Sequence, residues 1–270
     1  MNEMPINKDI SKIEEKMIEL SIIVPCYNEE KNINLLTSRL QSVIKDIDVD
    51  GEIVLVNDGS IDGTGDEILK CTKKHKNVVF VDHSRNKGIA EAWKSGLAVS
   101  RGKYISILDA DMQYSPEDVK NLYNVCKMKD CDIAQGTRAM HHNKRGLRCV
   151  ASRCFGWFLN YIFGYYFRDI KSGFLVCKRS VFAAILETDN DYTFFQHFIG
   201  ISAVSQGFKL SEVPVFFSKR EMGESFIKSP FFFSLKSMID MPKAFIEFRL
   251  NRRKLRKQRE AYVRYCRNLG

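Results

Sequence analysis

Two aspartates separated by one residue are the first feature of the sequence that could do chemistry. Asp109 and Asp111 flank Ala110, and Gln113 follows two positions later. Carboxylate and amide oxygens are hard ligands, which suit Mg²⁺ or Mn²⁺ in a site where the cation also contacts phosphate. The same spacing occurs in ordinary surface loops, so its surroundings decide between a metal site and a solvated turn.

Polar side chains also follow three other short apolar runs. Tyr27 follows the first run and could cover a nucleobase, with packing at a rim as the alternative. Asp58 follows the second and could accept hydrogen bonds from a base or ribose, although Asp-Gly is also a common turn. Lys87 follows the third, beside Gly88, and could meet a diphosphate or simply be solvated. If the runs are adjacent strands, these residues lie at one edge of a sheet.

Strands that alternate with helices would position these residues. Each apolar run is followed by a stretch with helical spacing. The predicted strands are 20–25, 52–56, 78–81 and 104–108, and the predicted helices are 28–45, 62–75, 86–100 and 116–127. This order predicts an α/β fold with a mostly parallel sheet and helices on both faces. Ser115, before Pro116, is predicted to cap the fourth helix.

Together, the four strand ends resemble the family 2 glycosyltransferases, which have the GT-A fold. The resemblance rests on four ordered motifs, at 22–30, 56–64, 86–88 and 109–113. It implies a UDP- or GDP-linked sugar donor and a divalent cation, Mg²⁺ or Mn²⁺. The residues implied to bind the nucleotide sugar are Pro25, Tyr27, Glu29, Asp58, Lys87 and Asp109. Those implied to lie around the metal diphosphate are Asp109, Asp111 and Gln113, the two aspartates being catalytic.

The second half of the chain resembles polyprenyl-phosphate glycosyltransferases of the dolichyl-phosphate mannose synthase type. The resemblance is carried by residues 136–138, by Arg148 and Ser152 four positions apart, and by residues 169–174 and 220–225. It implies a polyprenyl phosphate acceptor. The residues implied to bind its phosphate are Arg138, Arg148, Ser152 and, at a closing loop, Arg220. Arg138 is thereby also a candidate catalytic residue.

An acceptor hydroxyl is the alternative to an acceptor phosphate. The chain departs from the polyprenyl-phosphate pattern at Phe226, where a lysine is usual and Lys228 could replace it, and at Leu175, where Arg or Lys is usual. A hydroxyl would need a general base, for which Asp191 is the candidate, with a helix-start carboxylate as its other interpretation. Because no Gln-x-x-Arg-Trp motif is present, the alternative is a non-processive transferase acting on a glycolipid or polysaccharide.

Positive charge is concentrated near the C-terminal end. The formal net charge is +9, and residues 249–267 contain nine Lys or Arg against Glu260 alone. A helix kinked at Pro242 is predicted to start at 229. Its polar stripe is Lys236, Asp240, Lys243 and Glu247, opposite Phe232, Leu235, Ile239, Phe245 and Ile246. This pattern fits an interfacial anchor on an anionic membrane, with packing on the body or on a partner as the alternative.

Composition bounds the remaining possibilities. At 270 residues and 44% hydrophobic, the chain is predicted to comprise an N-terminal segment (1–19), a GT-A domain (20–228) and an interfacial helix with a basic tail (229–270). No apolar run reaches the ~18 to 20 residues that span a bilayer, so the chain is not expected to cross a membrane by itself. With the interfacial helix, a cytoplasmic location peripheral to the inner face of a membrane is expected. Scattered cysteines predict reduced thiols. Nucleic acid is not an expected partner, whereas a homo-oligomer or a membrane partner stays open.

Overall fold

The computed structural model describes residues 18–129, 131–138, 147–170, 172–188, 192, 195–218 and 239–268. Its centre is a sheet of seven strands. The strands are β1 (Leu20–Cys26), β2 (Gly51–Asp58), β3 (Val78–His83), β4 (Tyr104–Ile107), β5 (Ile133–Arg138), β6 (Leu175–Lys178) and β7 (Leu210–Val215). β1 and β2 are buried along almost their whole length, as expected for strands covered on both faces.

The sheet order, β3-β2-β1-β4-β6-β5-β7, places the first four strands side by side. β1 pairs in parallel with β2 and β4, and β2 pairs in parallel with β3. β6 runs antiparallel between β4 and β5, and β7 is parallel to β5. The predicted, mostly parallel α/β fold is therefore confirmed, and the carboxyl ends of β1 to β4 share one edge.

Helices cover both faces of the sheet. One core contains side chains of α1 (Ile33–Ile47), α2 (Thr64–Lys74) and α4 (Asp118–Met128). The other contains side chains of α3 (Ile89–Val99), α5 (Leu147–Phe163), α6 (Arg179–Leu186), α7 (Ile199–Ser205), α8 (Met241–Phe245) and α9 (Arg252–Asn268). The strands lie between two apolar cores. The polar residues that follow the strands therefore lie at the edge of the sheet, outside both cores.

The four predicted helices are present, but each begins later than predicted. The role predicted for Ser115 is wrong, because α4 begins at Asp118, after a turn in which Asp118 N donates to Ser115 O at 3.0 Å. The Ser115 hydroxyl instead donates to the carboxylate of Glu117. Arg39 of α1 donates to the same carboxylate at 2.9 Å and holds the pKa of Glu117 down at about 2. This ion pair ties α1 to the start of α4.

The C-terminal helices pack on the body by one face. Met241, Ala244, Phe248 and Leu255 are buried in the second core, and a π-helical segment, Ile246–Leu250, lies between α8 and α9. Pro242 lies in the first turn of α8, so within the described residues it begins a helix. Part of the predicted polar stripe faces inward: Asp240 is buried and Glu247 accepts a hydrogen bond from Tyr192 OH at 2.6 Å. Residues 229–238 of the predicted anchor lie outside the described ranges.

Candidate active site

The loop after β4 presents two carboxylates at the carboxyl edge of the sheet. Asp109 and Asp111 are half-buried, whereas Ala110 and Met112 between and after them are buried in the core. Met112 has a left-handed φ of 53°, which turns the chain sharply at this point. Gln113 N donates to Asp111 Oδ1 at 3.1 Å and fixes that carboxylate. The alternation directs Asp109, Asp111 and Gln113 away from the core, as the sequence predicted.

The side-chain oxygens of these three residues suit a divalent cation that is also coordinated by a bound substrate. Their oxygens are the hard donors that Mg²⁺ and Mn²⁺ prefer. Within the described ranges, no group of three or more His, Cys, Asp or Glu residues is arranged to hold a metal ion. With three donor side chains, the loop would supply part of an octahedral coordination shell. Mg²⁺ is commonly bound in this way, with one or two carboxylates and the remaining ligands from phosphate and water.

The loops after β1 and β2 are tied together beside this site. Asn28, at a φ of 56°, accepts a hydrogen bond from Ile61 N at 2.9 Å through its side chain. Its neighbour Glu29 is buried, and Glu29 N donates to Thr64 Oγ1 at 2.8 Å. Tyr27 is half-buried at the same edge, and Pro25 lies within β1, paired with β2. The predicted donor residues of these two loops thus form one connected surface.

Asp58 is buried and anchors the loop after β3. Its Oδ1 accepts hydrogen bonds from Lys87 N at 2.8 Å, and its Oδ2 accepts one from Gly88 N at 2.9 Å. Gly59 packs directly against this loop: a Cβ there would lie 2.2 Å from the carbonyl carbon of Arg85. The Lys87 side chain remains exposed on the loop. Asp58 therefore positions Lys87, a role that the sequence did not indicate.

His83 completes this arrangement and was missed by sequence reasoning. Its Nδ1 lies 2.8 Å from Asp58 Oδ1 and its Nε2 lies 2.9 Å from Ser95 Oγ on α3. Asp58 and His83 are paired in register on β2 and β3. The only signal available in the sequence was a polar residue at the end of each predicted strand. The hydrogen bonds from Ser95 through His83 to Asp58 link helix α3 to the loop that bears Lys87.

Arg138, at the end of β5, forms a bidentate ion pair with Asp169. Arg138 Nε and Nη2 donate to the two carboxylate oxygens at 2.6 and 2.7 Å. The guanidinium also lies 5.3 Å from the ring centroid of Phe217. Burial opposes its charge, but the hydrogen bonds that Arg138 donates to Asp169 outweigh burial and raise the pKa of Arg138 above its usual value. Arg138 is thus held in one orientation by a partner that the sequence did not predict.

Tyr114 connects the acidic loop to the surroundings of Arg138. Its hydroxyl lies 3.1 Å from Ser172 Oγ, and burial raises its pKa. Its ring is 4.9 Å from that of Phe217, the residue over which Arg138 lies. Ser218 N donates to Gln113 O at 2.8 Å, which holds the chain after β7 against the acidic loop. The predicted metal loop and Arg138 therefore belong to one continuous wall.

Comparison with known proteins identifies the family. The model of "Glycosyl transferase family 2" matches residues 21–189, which is more than half of the chain. The chain belongs to glycosyl transferase family 2. The fold agrees, because a glucosyl-3-phosphoglycerate synthase from Mycobacterium tuberculosis, crystallised with Mg²⁺ and UDP, superposes with a TM-score of 0.59 at 13% identity. That superposition covers 86% of this chain and 79% of the synthase.

Several family 2 relatives are named as polyprenyl-phosphate enzymes. The chain is 28% identical to the polyprenol monophosphomannose synthase of Mycolicibacterium smegmatis over 76% of this chain and 79% of that protein. It is 25% identical to the dodecaprenyl-phosphate galacturonate synthase of Rhizobium johnstonii over 77% of this chain and 61% of that protein. An uncharacterized glycosyltransferase of Synechocystis is 33% identical over 51% of this chain. The match spans 43% of that protein and 61% of the galacturonate synthase, so this chain covers less than two thirds of either relative.

Some predicted acceptor residues of this family 2 chain lie beyond what the structure describes. Arg148 and Ser152 fall within α5, but only their backbone is described. Arg220 and Asp191 lie outside the described residues altogether. Among helices of the described part, none is long and apolar enough to cross a membrane. The roles of these four residues stay predictions.

Replacing His83 with alanine is expected to raise the KM for the nucleotide sugar about tenfold and to leave kcat within about twofold, because the loss of a hydrogen bond to a charged group loosens the Lys87 loop. His83→Asn should restore part of the affinity, since its amide can still donate to Asp58. Steady-state kinetics across a range of donor concentrations measure this split. His75→Ala, at the end of α2, is the matched control. A fall in kcat at unchanged KM would contradict the positioning role.

Proposed function

We propose that the protein transfers a sugar from a nucleotide sugar to a polyprenyl phosphate at the cytoplasmic face of a membrane, with inversion at the anomeric carbon. The observation that carries this proposal is the continuous wall that joins the Asp109 and Asp111 loop to the fixed guanidinium of Arg138. Such a wall offers an acidic loop for a cation and a basic group for a second, anionic substrate. The names of two relatives, a dodecaprenyl-phosphate galacturonate synthase and a polyprenol monophosphomannose synthase, support the same class of reaction.

The donor occupies the edge formed by β1 to β4 in this proposal. Tyr27 covers the base, Pro25 and Glu29 shape the surface around the nucleoside, and Asp58 holds the Lys87 loop against it. Lys87 contributes positive charge for the diphosphate. A Mg²⁺ or Mn²⁺ ion held by Asp109, Asp111 and Gln113 would neutralise negative charge on the leaving diphosphate.

The acceptor side needs no general base. One oxygen of the lipid phosphate is ionised near neutral pH and carries the electron pair that forms the new bond to the anomeric carbon. The bond from that carbon to the diphosphate oxygen breaks, and the nucleoside diphosphate leaves with its electron pair. Because attack and departure occur on opposite sides, the configuration inverts. Arg138, oriented by Asp169, binds the acceptor phosphate together with Arg148, Ser152 and Arg220 and holds it near the donor.

A panel of nucleotide sugars tests the proposal. Full-length protein is incubated with UDP- and GDP-linked sugars and membrane lipid extract, with Mn²⁺ or with EDTA, and the lipid products are identified by mass spectrometry. We expect one sugar phosphodiester of a polyprenol, formed with Mn²⁺ and not with EDTA. A glycolipid in which the new sugar is attached to a hydroxyl would replace this proposal with the hydroxyl-acceptor alternative.

A further inference from the structure

The outer face of α5 carries a stacked aromatic pair. Trp157 is 70% exposed and Tyr161, one turn later, is 75% exposed. Their rings are 5.8 Å apart and nearly parallel. The opposite face of the same helix is fully buried at Leu159 and Phe163. Because α5 is already fixed to the core by those two residues, the aromatic pair contributes nothing to that core, and such large exposed apolar groups call for another explanation.

A second exposed apolar surface lies on the C-terminal helices. Ile246 and Leu250, one turn apart, are 52% and 62% exposed. Phe248 between them is fully buried, so this stretch also has one face on the body and one face outward. Exposed cations lie among these aliphatic side chains, since Arg249 and Arg253 are exposed as well. It therefore combines aliphatic side chains with positive charge.

The two surfaces meet at the end of α5. Arg249 Nη1 donates to the carbonyl oxygen of Phe163 at 3.0 Å, and Arg252 donates to the same oxygen. The Arg252 guanidinium also lies 4.4 Å from the ring centroid of Tyr165. We call the joined surface the aromatic-basic face. Its residues are Trp157, Tyr161, Ile246, Arg249, Leu250 and Arg253.

Several cations of this region have no carboxylate partner among the described residues. Arg249 and Arg252 bind carbonyl oxygens and an aromatic ring, not carboxylates. In the described part of the chain, none of Arg253, Lys254, Arg256 and Lys257 forms an ion pair, and Arg253, Lys254 and Lys257 are exposed. Indole and phenol rings prefer the boundary between water and lipid, and cations are attracted to anionic headgroups. An anionic bilayer satisfies both preferences at once.

We infer that the aromatic-basic face docks on an anionic lipid bilayer, with Trp157 and Tyr161 inserted at the level of the headgroups. This inference rests on the proposed function for its biological sense, because α5 also carries the candidate acceptor residues. At about 1.5 Å per residue, Arg148 lies roughly 13 Å and Ser152 roughly 8 Å along the helix from Trp157. By helical periodicity both positions share the side of α5 that holds Leu159 and Phe163, so docking through the opposite, aromatic side would not cover them with lipid.

The two tryptophans of the chain provide the test. Trp93 is completely buried, so only Trp157 can respond to lipid. Full-length protein is titrated with vesicles of phosphatidylcholine containing phosphatidylglycerol, some of them brominated at shallow acyl positions. We expect a blue shift of the emission and quenching by the brominated lipid, weakened but not abolished by salt. Trp157→Phe keeps an aromatic ring but removes the fluorescent indole. In this variant both signals should vanish while the protein still co-sediments with the vesicles.

A charge-insertion variant tests the surface itself. Trp157→Glu combined with Tyr161→Glu should lower vesicle affinity at least tenfold, whereas Met128→Glu, an exposed methionine at the end of α4, should not. With acceptor lipid in vesicles the double variant should lose transfer, and with the same lipid in detergent it should keep it. Unchanged Trp157 emission with anionic vesicles would overturn the inference. So would self-association of the wild type that the double variant abolishes, because the face would then join copies. Vesicle binding without lipid-phosphate transfer in either setting would refute the proposed function and leave the docking surface standing.

Discussion

Asp109→Asn and Asp111→Asn are each expected to lower turnover about 100- to 1000-fold without unfolding the protein. The amide matches the carboxylate in volume, and its oxygen can still accept the hydrogen bond that Gln113 N gives to Asp111. What is lost is negative charge, which a divalent cation requires of its protein ligands. Turnover measured at saturating and at limiting Mn²⁺, together with the melting temperature, reports the loss.

The matched control is Asp46→Asn, which makes the same change on an exposed carboxylate near the end of α1, at the opposite edge of the sheet. It should leave turnover, the Mn²⁺ requirement and the melting temperature unchanged. Near-normal turnover by both Asp109→Asn and Asp111→Asn at limiting Mn²⁺ would end the assignment of the metal site.

The sequence predicted the features that depend on local patterns of residues. Each of the first four strands is a short apolar run followed by helical spacing, so the order and type of these elements could be predicted. The position of Asp109 and Asp111 at the carboxyl edge follows from the same pattern, because a loop after a buried parallel strand has only one edge to occupy. The half-burial of both side chains agrees with that position.

The features that the sequence did not predict depend on contacts between distant residues. Asp58 and His83 are 25 positions apart, and Arg138 and Asp169 are 31 apart. No periodicity connects such residues, because their proximity is set by strand order and register. The inward direction of Asp240 and Glu247 also depends on a distant contact. The hydroxyl of the buried Tyr192 donates a hydrogen bond to Glu247, which places this part of the polar stripe against the body. Amphipathic spacing shows that a helix has two faces but not which of them is covered.

Arg138→Ala is expected to raise the KM for the lipid phosphate about 10- to 100-fold and to leave the KM for the nucleotide sugar within about twofold. The reason is that a charge-assisted hydrogen bond to only one substrate is removed. The acceptor KM is measured with detergent-solubilised polyprenyl phosphate, so that membrane docking does not contribute. Equal changes in both KM values would contradict an acceptor role for Arg138.

Arg138→Lys and Asp169→Asn distinguish the charge of Arg138 from its orientation. Lysine keeps the charge but cannot form the two parallel hydrogen bonds of the guanidinium, so an acceptor KM close to that of Arg138→Ala would show that orientation matters. Asp169→Asn has two opposed effects: it removes a neighbouring negative charge, which favours phosphate, and it releases the guanidinium, which disfavours it. The Arg138 side chain is 36% exposed, so water screens the first effect, whereas the bidentate geometry at 2.6 and 2.7 Å is lost outright. We therefore expect a net rise in the acceptor KM, smaller than for Arg138→Ala. A fall in the acceptor KM would mean that removal of the neighbouring negative charge outweighs loss of the fixed orientation of the guanidinium.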